Sequence, residues 1–236
     1  MRIDSIGRKA AAIAFLAAPV FACSRGEPEV AYAGSTTTKT AAVSAEGQES
    51  GESAKGEALR LVLAPSGNAA RYRVREQLVG HDLQNDAVGE TKSLTGALSI
   101  DSAGKVIAST SKFTVDAGSF VSDRDRRDGY VRGRLLEADS YPTITLVPTQ
   151  ITGVSLPLPK SGSAPIEMVA NLTVRGVTKP TTWKGTATFG DGTVGGSAST
   201  AFTFDDMQLE QPRVPVLLSV ADTIKLEIDF NLVRQR

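Results

Sequence analysis

Arg126, Arg127, Arg132 and Arg134 crowd around Asp128 and Tyr130 in the stretch RRDGYVRGRLLEADSYPTITL, which then turns into an apolar, β-branched run. Such side chains could form a catalytic cluster, grip phosphates, or solvate the outside of something apolar. The other reactive residues argue against catalysis. Histidine occurs once, as His81, so neither a His-rich metal site nor a two-histidine proton relay can be assembled. Its neighbour Asp82 lies in the loop-like GHDLQND. Cys23, the single cysteine, stands far from the body of the chain, which disfavours a Cys-His nucleophile. Asp205, Asp206 and Glu210 could share acid–base work or hold calcium, yet DDMQLEQP reads first as a solvated loop. Asn171 opens a glycosylation triplet by letters only, inside a strand pattern, and no helix carrying Lys-Ser or Lys-Thr follows Gly195-Gly196. The expectation is a protein that is not an enzyme and carries no metal and no obligatory cofactor.

The charge balance disfavours nucleic acid as well. The 236 residues carry 26 basic and 26 acidic side chains, without the positive excess that a phosphate-gripping domain needs. At 41% hydrophobic residues the chain can bury a substantial core, in one domain or at most two.

Two segments precede the body of the chain. Arg2, Arg8 and Lys9 stand before the apolar run AAAIAFLAAPVFA, which is too short to span a bilayer and reads as an export signal over residues 1–22. Cys23 directly after VFA resembles the lipobox of bacterial lipoproteins, in which the cysteine becomes the lipidated N-terminus. Cleavage there takes three basic groups and one acidic group with it, leaving a slightly acidic chain. Residues 23–58, rich in Ala, Ser, Thr, Gly and Glu, cannot bury enough surface to offset their ordering entropy and read as a flexible tether. As a coil it would reach roughly 30 Å. The expected location is the periplasmic side of the cell envelope, anchored through Cys23. Ser24, in place of an aspartate, leans toward the outer membrane.

From Leu59 onward the pattern is one of strands. ARYRVREQL alternates Tyr72, Val74 and Leu78 against Arg71, Arg73 and Arg75, the period of a half-buried strand. TGALSID and SKFTVDAG follow around a turn at Asp101 to Gly104, and PIEMVANLTVRG, TTWKGTATFG, TVGGSASTAFTF and TIKLEIDFNLV repeat the theme. Turn chemistry at Gly176 to Pro180 and at Gly190 to Gly192 separates the later runs. In the last, Ile224, Leu226, Ile228, Phe230 and Leu232 share one face, and Lys225, Glu227, Asp229 and Asn231 the other. Seven or eight strands must hide their edges, and the length of the late ones favours a closed antiparallel β-barrel of about eight over a sandwich.

These strands must position the arginine cluster, which falls in the one helical signal. Ser122, three residues ahead of Asp125, forms a capping-box pattern, and Asp125 and Asp128 suit the positive end of a helix. Val131 and Leu135 stand four apart on one face, while Gly129 and Gly133 weaken the element. Such a helix must lean on the barrel as a plug or lid at one opening.

Three stretches together, RRDGYVRGRLLEADSYPTITL, ANLTVRGVTKPTTW and the closing IKLEIDFNLV, resemble the YceI-like family over residues 59–236. The resemblance implies an exported, lipocalin-like extended barrel whose interior holds a long isoprenoid or other lipid chain. On that footing Arg127 and Asp128 fix the helix to the barrel rim, by pairing with backbone or with each other, and the charges form its wet outer face. The expected apolar cavity is lined by Tyr72, Val74, Phe113, Val115, Tyr130 and Ile144, with Leu146, Leu172, Trp183, Phe202, Ile224 and Ile228. Gly185 and Ala187 are expected to leave room on the Trp183 face. The cargo would be an isoprenoid, an isoprenoid quinone or a fatty-acyl lipid, and a homodimer is one arrangement of such a barrel. The competing reading is a tethered structural or interaction lipoprotein. Its core would be filled, and it would show an exposed apolar patch instead of a void.

Overall fold

The computed structural model describes residues 57–235. The export signal at 1–22, Cys23 and all but the last two residues of the 23–58 tether lie outside the described residues. The first strand opens at Glu57.

Ten strands follow, all paired antiparallel: β1 (Glu57–Leu63), β2 (Ala69–Leu78), β3 (Asn85–Thr91), β4 (Leu94–Asp101), β5 (Lys112–Asp116), β6 (Thr143–Thr152), β7 (Ser163–Val174), β8 (Val177–Gly190), β9 (Thr193–Thr203) and β10 (Leu217–Arg234). They close into a barrel of eight positions, because two of its staves are broken. β1 and β2 run end to end along β10, with Leu63 opposite Leu232 and Ala69 opposite Asp229. β4 and β3 likewise follow β1 and β2, interrupted only at Lys92-Ser93. β10 is long enough, at 18 residues, to hold both halves of the first stave on one edge and β9 on the other. Among the described residues this leaves no long unpaired edge between β10 and its neighbours, which is how a closed barrel avoids edge-to-edge association.

Two of the connections have turn chemistry that sets the register. β7 and β8 join through Arg175-Gly176, both at positive φ (46° and 75°), and β8 and β9 through Asp191-Gly192. With both central residues at positive φ, the Arg175-Gly176 turn matches the right-handed twist of the strands it joins. Pro180 belongs to β8, opposite Asn171, and not to the turn. Asp101 does make a tight turn, its carboxylate accepting from the N–H groups of Ala103 and Lys105, but β5 begins only at Lys112.

The alternation in β10 places Ile224, Leu226 and Ile228 inward and Glu227 and Asp229 outward. There Arg71 bonds Asp229 and Glu90 at 2.6 Å each, and Arg73 reaches Asp86 at 3.1 Å and Glu227 at 3.4 Å. Such part-exposed pairs lace the outer wall and add little net stability.

Gly185 does not provide room in the barrel. A Cβ there would collide with the carbonyl oxygen of Ser197 and crowd Ala198, so the glycine is what lets β8 and β9 approach. Ala187, two residues on, is the one that faces the interior. The interior itself has two tiers. One end is filled by Leu59, Leu61, Leu98, Ile100, Phe189 and Val194, against which Leu156 and Leu158 of the β6–β7 connection pack. The other end is capped by a helical segment and by the stretch before β10.

Candidate functional site

The capping segment is α1 (Asp125–Tyr130), continued without a break by a π-helical turn over Val131–Leu135. The capping box is not formed. The N-cap is Arg124, which makes no side-chain cap bond, and the Ser122 hydroxyl donates instead to Asp128 Oδ1 at 2.6 Å. The Ser122 N–H donates to the same oxygen at 2.9 Å, so Asp128, 7% exposed, serves as the acceptor that folds the chain back onto the helix.

Arg127 and Asp128 do not pair with each other, and Arg127 is not part of a wet outer face. Its guanidinium turns into the barrel mouth and donates to Glu76 Oε1 at 2.6 Å, with the two side chains only 12% and 7% exposed. A second bond reaches Asp123 and a third, at 3.3 Å, the Ser122 hydroxyl. Burial works to lower the guanidinium's affinity for its proton, but the bonds to Asp123 and Glu76 outweigh it and hold the pKa above the usual arginine value. Arg132 and Arg134 do remain exposed.

Beneath this ion pair lies a cavity of about 590 Å³. Tyr72, Val74, Tyr130, Ile144, Phe202 and Ile224 all line it, with Val131 and Leu135 of the π-helical turn overhead. The exposed side chains among its walls, Arg124, Arg126, Pro215 and Val216, mark where it opens. The outside of that lip is apolar too: Val216 and Leu218 are 49% and 63% exposed, and Val79, 57% exposed, donates its N–H to the carbonyl of Val216. A second, smaller cavity of about 140 Å³ lies deeper. Phe113, Val115, Leu146, Leu172, Trp183 and Ile228 line it, together with Ala187. Each of the twelve side chains named from the sequence thus lines one of these two spaces, and Leu146, Leu172, Trp183 and Ile224 are at the same time part of the buried core.

Inside the large cavity the Tyr72 hydroxyl is an anomaly. It is buried and has no hydrogen-bond partner, and burial pushes its pKa up to about 12. Its ring stands over Gly89, the residue opposite it on β3, where any side chain would collide with it, and tilts against Phe120 at 5.7 Å.

The sequence reading missed several contributors. Glu76 occupies an inward position of β2, in line with Tyr72, Val74 and Leu78, and a charge at such a place is the signal that could have found it. Phe120 and the wall from Leu209 to Val216 belong to irregular segments with no period to read. DDMQLEQP is only half a solvated loop. Asp205 and Asp206 are exposed, the latter accepting from the Thr203 N–H at 2.8 Å, while Met207 and Leu209 plug the core at 0% and 8% exposure. His81 and Asp82 are exposed, and among the described residues no cluster of His, Cys, Asp and Glu could hold a metal ion.

Residues 62–232 match the YceI-like domain. The chain belongs to the YceI-like family. Among solved structures it is similar to a polyisoprenoid binding domain from Saccharophagus degradans implicated in plant cell wall breakdown, at 16% identity and a TM-score of 0.58, covering 75% of this chain and 99% of that one. It is also similar to BcnA of Burkholderia cenocepacia, at 15% identity and a TM-score of 0.51, covering 70% and 95% of the two chains. At these identities the likeness is one of fold, and it agrees with the closed barrel described above. No curated protein matches the chain.

Proposed function

We propose that this YceI-like barrel sequesters or carries a long apolar chain, of isoprenoid, isoprenoid quinone or fatty-acyl type. The observation that carries this reading is the cavity of about 590 Å³ beneath α1. Its volume falls within the range of small-molecule pockets, roughly 300–1,000 Å³, and its walls are aliphatic and aromatic with a few polar groups at the mouth. Withdrawing an alkyl or prenyl chain from water contributes about 25 cal/mol per Å² of apolar area, so affinity needs no catalytic group. The polyisoprenoid binding named for the Saccharophagus degradans domain supports the choice of cargo. Exposed Val216, with Val79 and Leu218 beside it, offers apolar surface at the mouth of the cavity, where an apolar cargo must pass. The export-type N-terminus and Cys23 support a lipid-anchored location on the periplasmic side of the envelope.

Thermal unfolding tests the reading. A ligand that binds only the folded state at a hundred times its Kd adds about 2.7 kcal/mol, a rise in Tm of roughly 5–10 °C for a domain of this size. Long-chain prenyl or alkyl alcohols are expected to produce it. A Tm unmoved by prenyl, alkyl and acyl chains alike would reject cargo binding in favour of a tethered docking protein.

A further inference from the structure

The two interior spaces share three lining residues, Phe120, Ile144 and Leu226, which come from the segment after β5, from β6 and from β10. They form a collar. Above it lies the open cavity, with the Arg127–Glu76 pair in its wall. Below it lies the smaller compartment, whose floor toward the filled end of the barrel is made by the buried side chains of Leu61, Leu98, Ile100, Val194 and Leu232. At about 140 Å³ the lower compartment is close to the size, about 150 Å³, at which an apolar cavity stays dry and takes up a benzene-sized guest. It is therefore large enough for the last few carbons of a chain and too small for a whole one.

We infer that this lower compartment is a subsite for the distal, apolar end of the cargo, entered from the upper cavity through the Phe120–Ile144–Leu226 collar, so that the barrel discriminates by chain length. This rests on the cargo-binding reading above. A polar headgroup stays at the mouth, because among the described residues Arg127 and Glu76 line the upper cavity. Arg71, Glu227 and Asp229 border the lower compartment but engage their charges in the ion pairs of the outer wall, and below the collar a hydroxyl would find no partner. A short chain held by its head fills only the upper cavity. A longer one gains the apolar surface of the lower compartment, and each added carbon is rewarded until that space is full. The reward then stops, because the floor is packed and overfilling a packed core is unfavourable.

Trp183, the single tryptophan, lies in the wall of the lower compartment and is 2% exposed, so the protein carries its own reporter of what enters. The test is a series of primary alcohols from decanol to triacontanol, each brominated either at the far end of the chain or next to the hydroxyl. Bromine quenches tryptophan fluorescence only near contact. Binding itself is followed separately, by thermal shift. Short members are expected to bind without quenching, and longer members to quench when brominated at the far end but not beside the hydroxyl. Filling the compartment by Ala187→Phe should lower the ratio of long-chain to short-chain affinity at least tenfold. Quenching that is the same for short and long members, or absent while the long members bind, would overturn the subsite and leave cargo binding intact. Failure of every member to bind would instead reject the cargo-binding reading beneath it.

Discussion

Arg127 holds the helical cap onto the barrel through a buried ion pair with Glu76, and the energetics of such pairs are lopsided. Desolvating both charges costs nearly what their attraction returns, whereas removing one partner strands the other. Arg127→Met is therefore expected to cost about 3–5 kcal/mol in urea denaturation, and adding Glu76→Leu should recover most of it. A loss smaller than 1 kcal/mol would show that the pair does not anchor the cap. Tyr72 carries the opposite kind of defect, a buried hydroxyl without a partner. Tyr72→Phe removes a group that pays desolvation without a bond in return, and stability should stay level or rise by about 1 kcal/mol. The hydroxyl also sets an alkaline limit. Its pKa is about 12 in the fold against 10.0 when free, so the unfolded chain releases the proton first. Below pH 10 the group leaves stability independent of pH, and as pH rises from there toward 12 keeping it protonated in the fold costs stability. Denaturation midpoints across that window should fall more steeply in the native chain than in Tyr72→Phe, and parallel slopes would contradict the assignment.

At the scale of the elements, β8 and β9 meet closely only because position 185 has no side chain. Gly185→Ala must force them apart at the Ser197 carbonyl and is expected to cost about 1–3 kcal/mol, with a matching fall in Tm. A neutral outcome would mean that the two strands have slack. The same glycine illustrates where sequence reading ends. Its place on the Trp183 face suggests spare volume, but whether a missing Cβ leaves a void or admits a neighbouring backbone depends on the sheet spacing, which no single strand records. Strands with a long period of two, β2 and β7 to β10, were legible because burial on one face imposes that period. β1 and β3 were not, since EALRLVL ends in an unbroken apolar run at Leu61-Val62-Leu63 and the buried face of NDAVGET carries only Ala87, Gly89 and Thr91. The helix was legible as an element through Val131 and Leu135. Its capping was misread because Ser122 and Asp128 find each other across the N-terminal turn, and side-chain pairing of that kind is invisible to spacing rules.

At the scale of the whole molecule, the described residues form a barrel filled at one end, hollow toward the other and capped over the hollow. Its closure was foreseeable from the need to bury strand edges, and all twelve interior side chains named from the sequence do face the two spaces. What the letters could not supply was the division between hollow and solid, because a row of inward aliphatic residues reads the same whether it meets a partner or a void. The irregular wall from Leu209 to Val216 and the inward Glu76 determine the mouth, and neither follows from alternation. The central claim is that the hollow is occupied by an apolar chain, and native mass spectrometry of the protein purified without detergent tests it most directly. The account expects one apolar molecule of a few hundred daltons per chain, released on denaturation and regained on incubation with long-chain lipid. A bare polypeptide mass, unchanged after incubation with prenyl and fatty-acyl lipids, would contradict it.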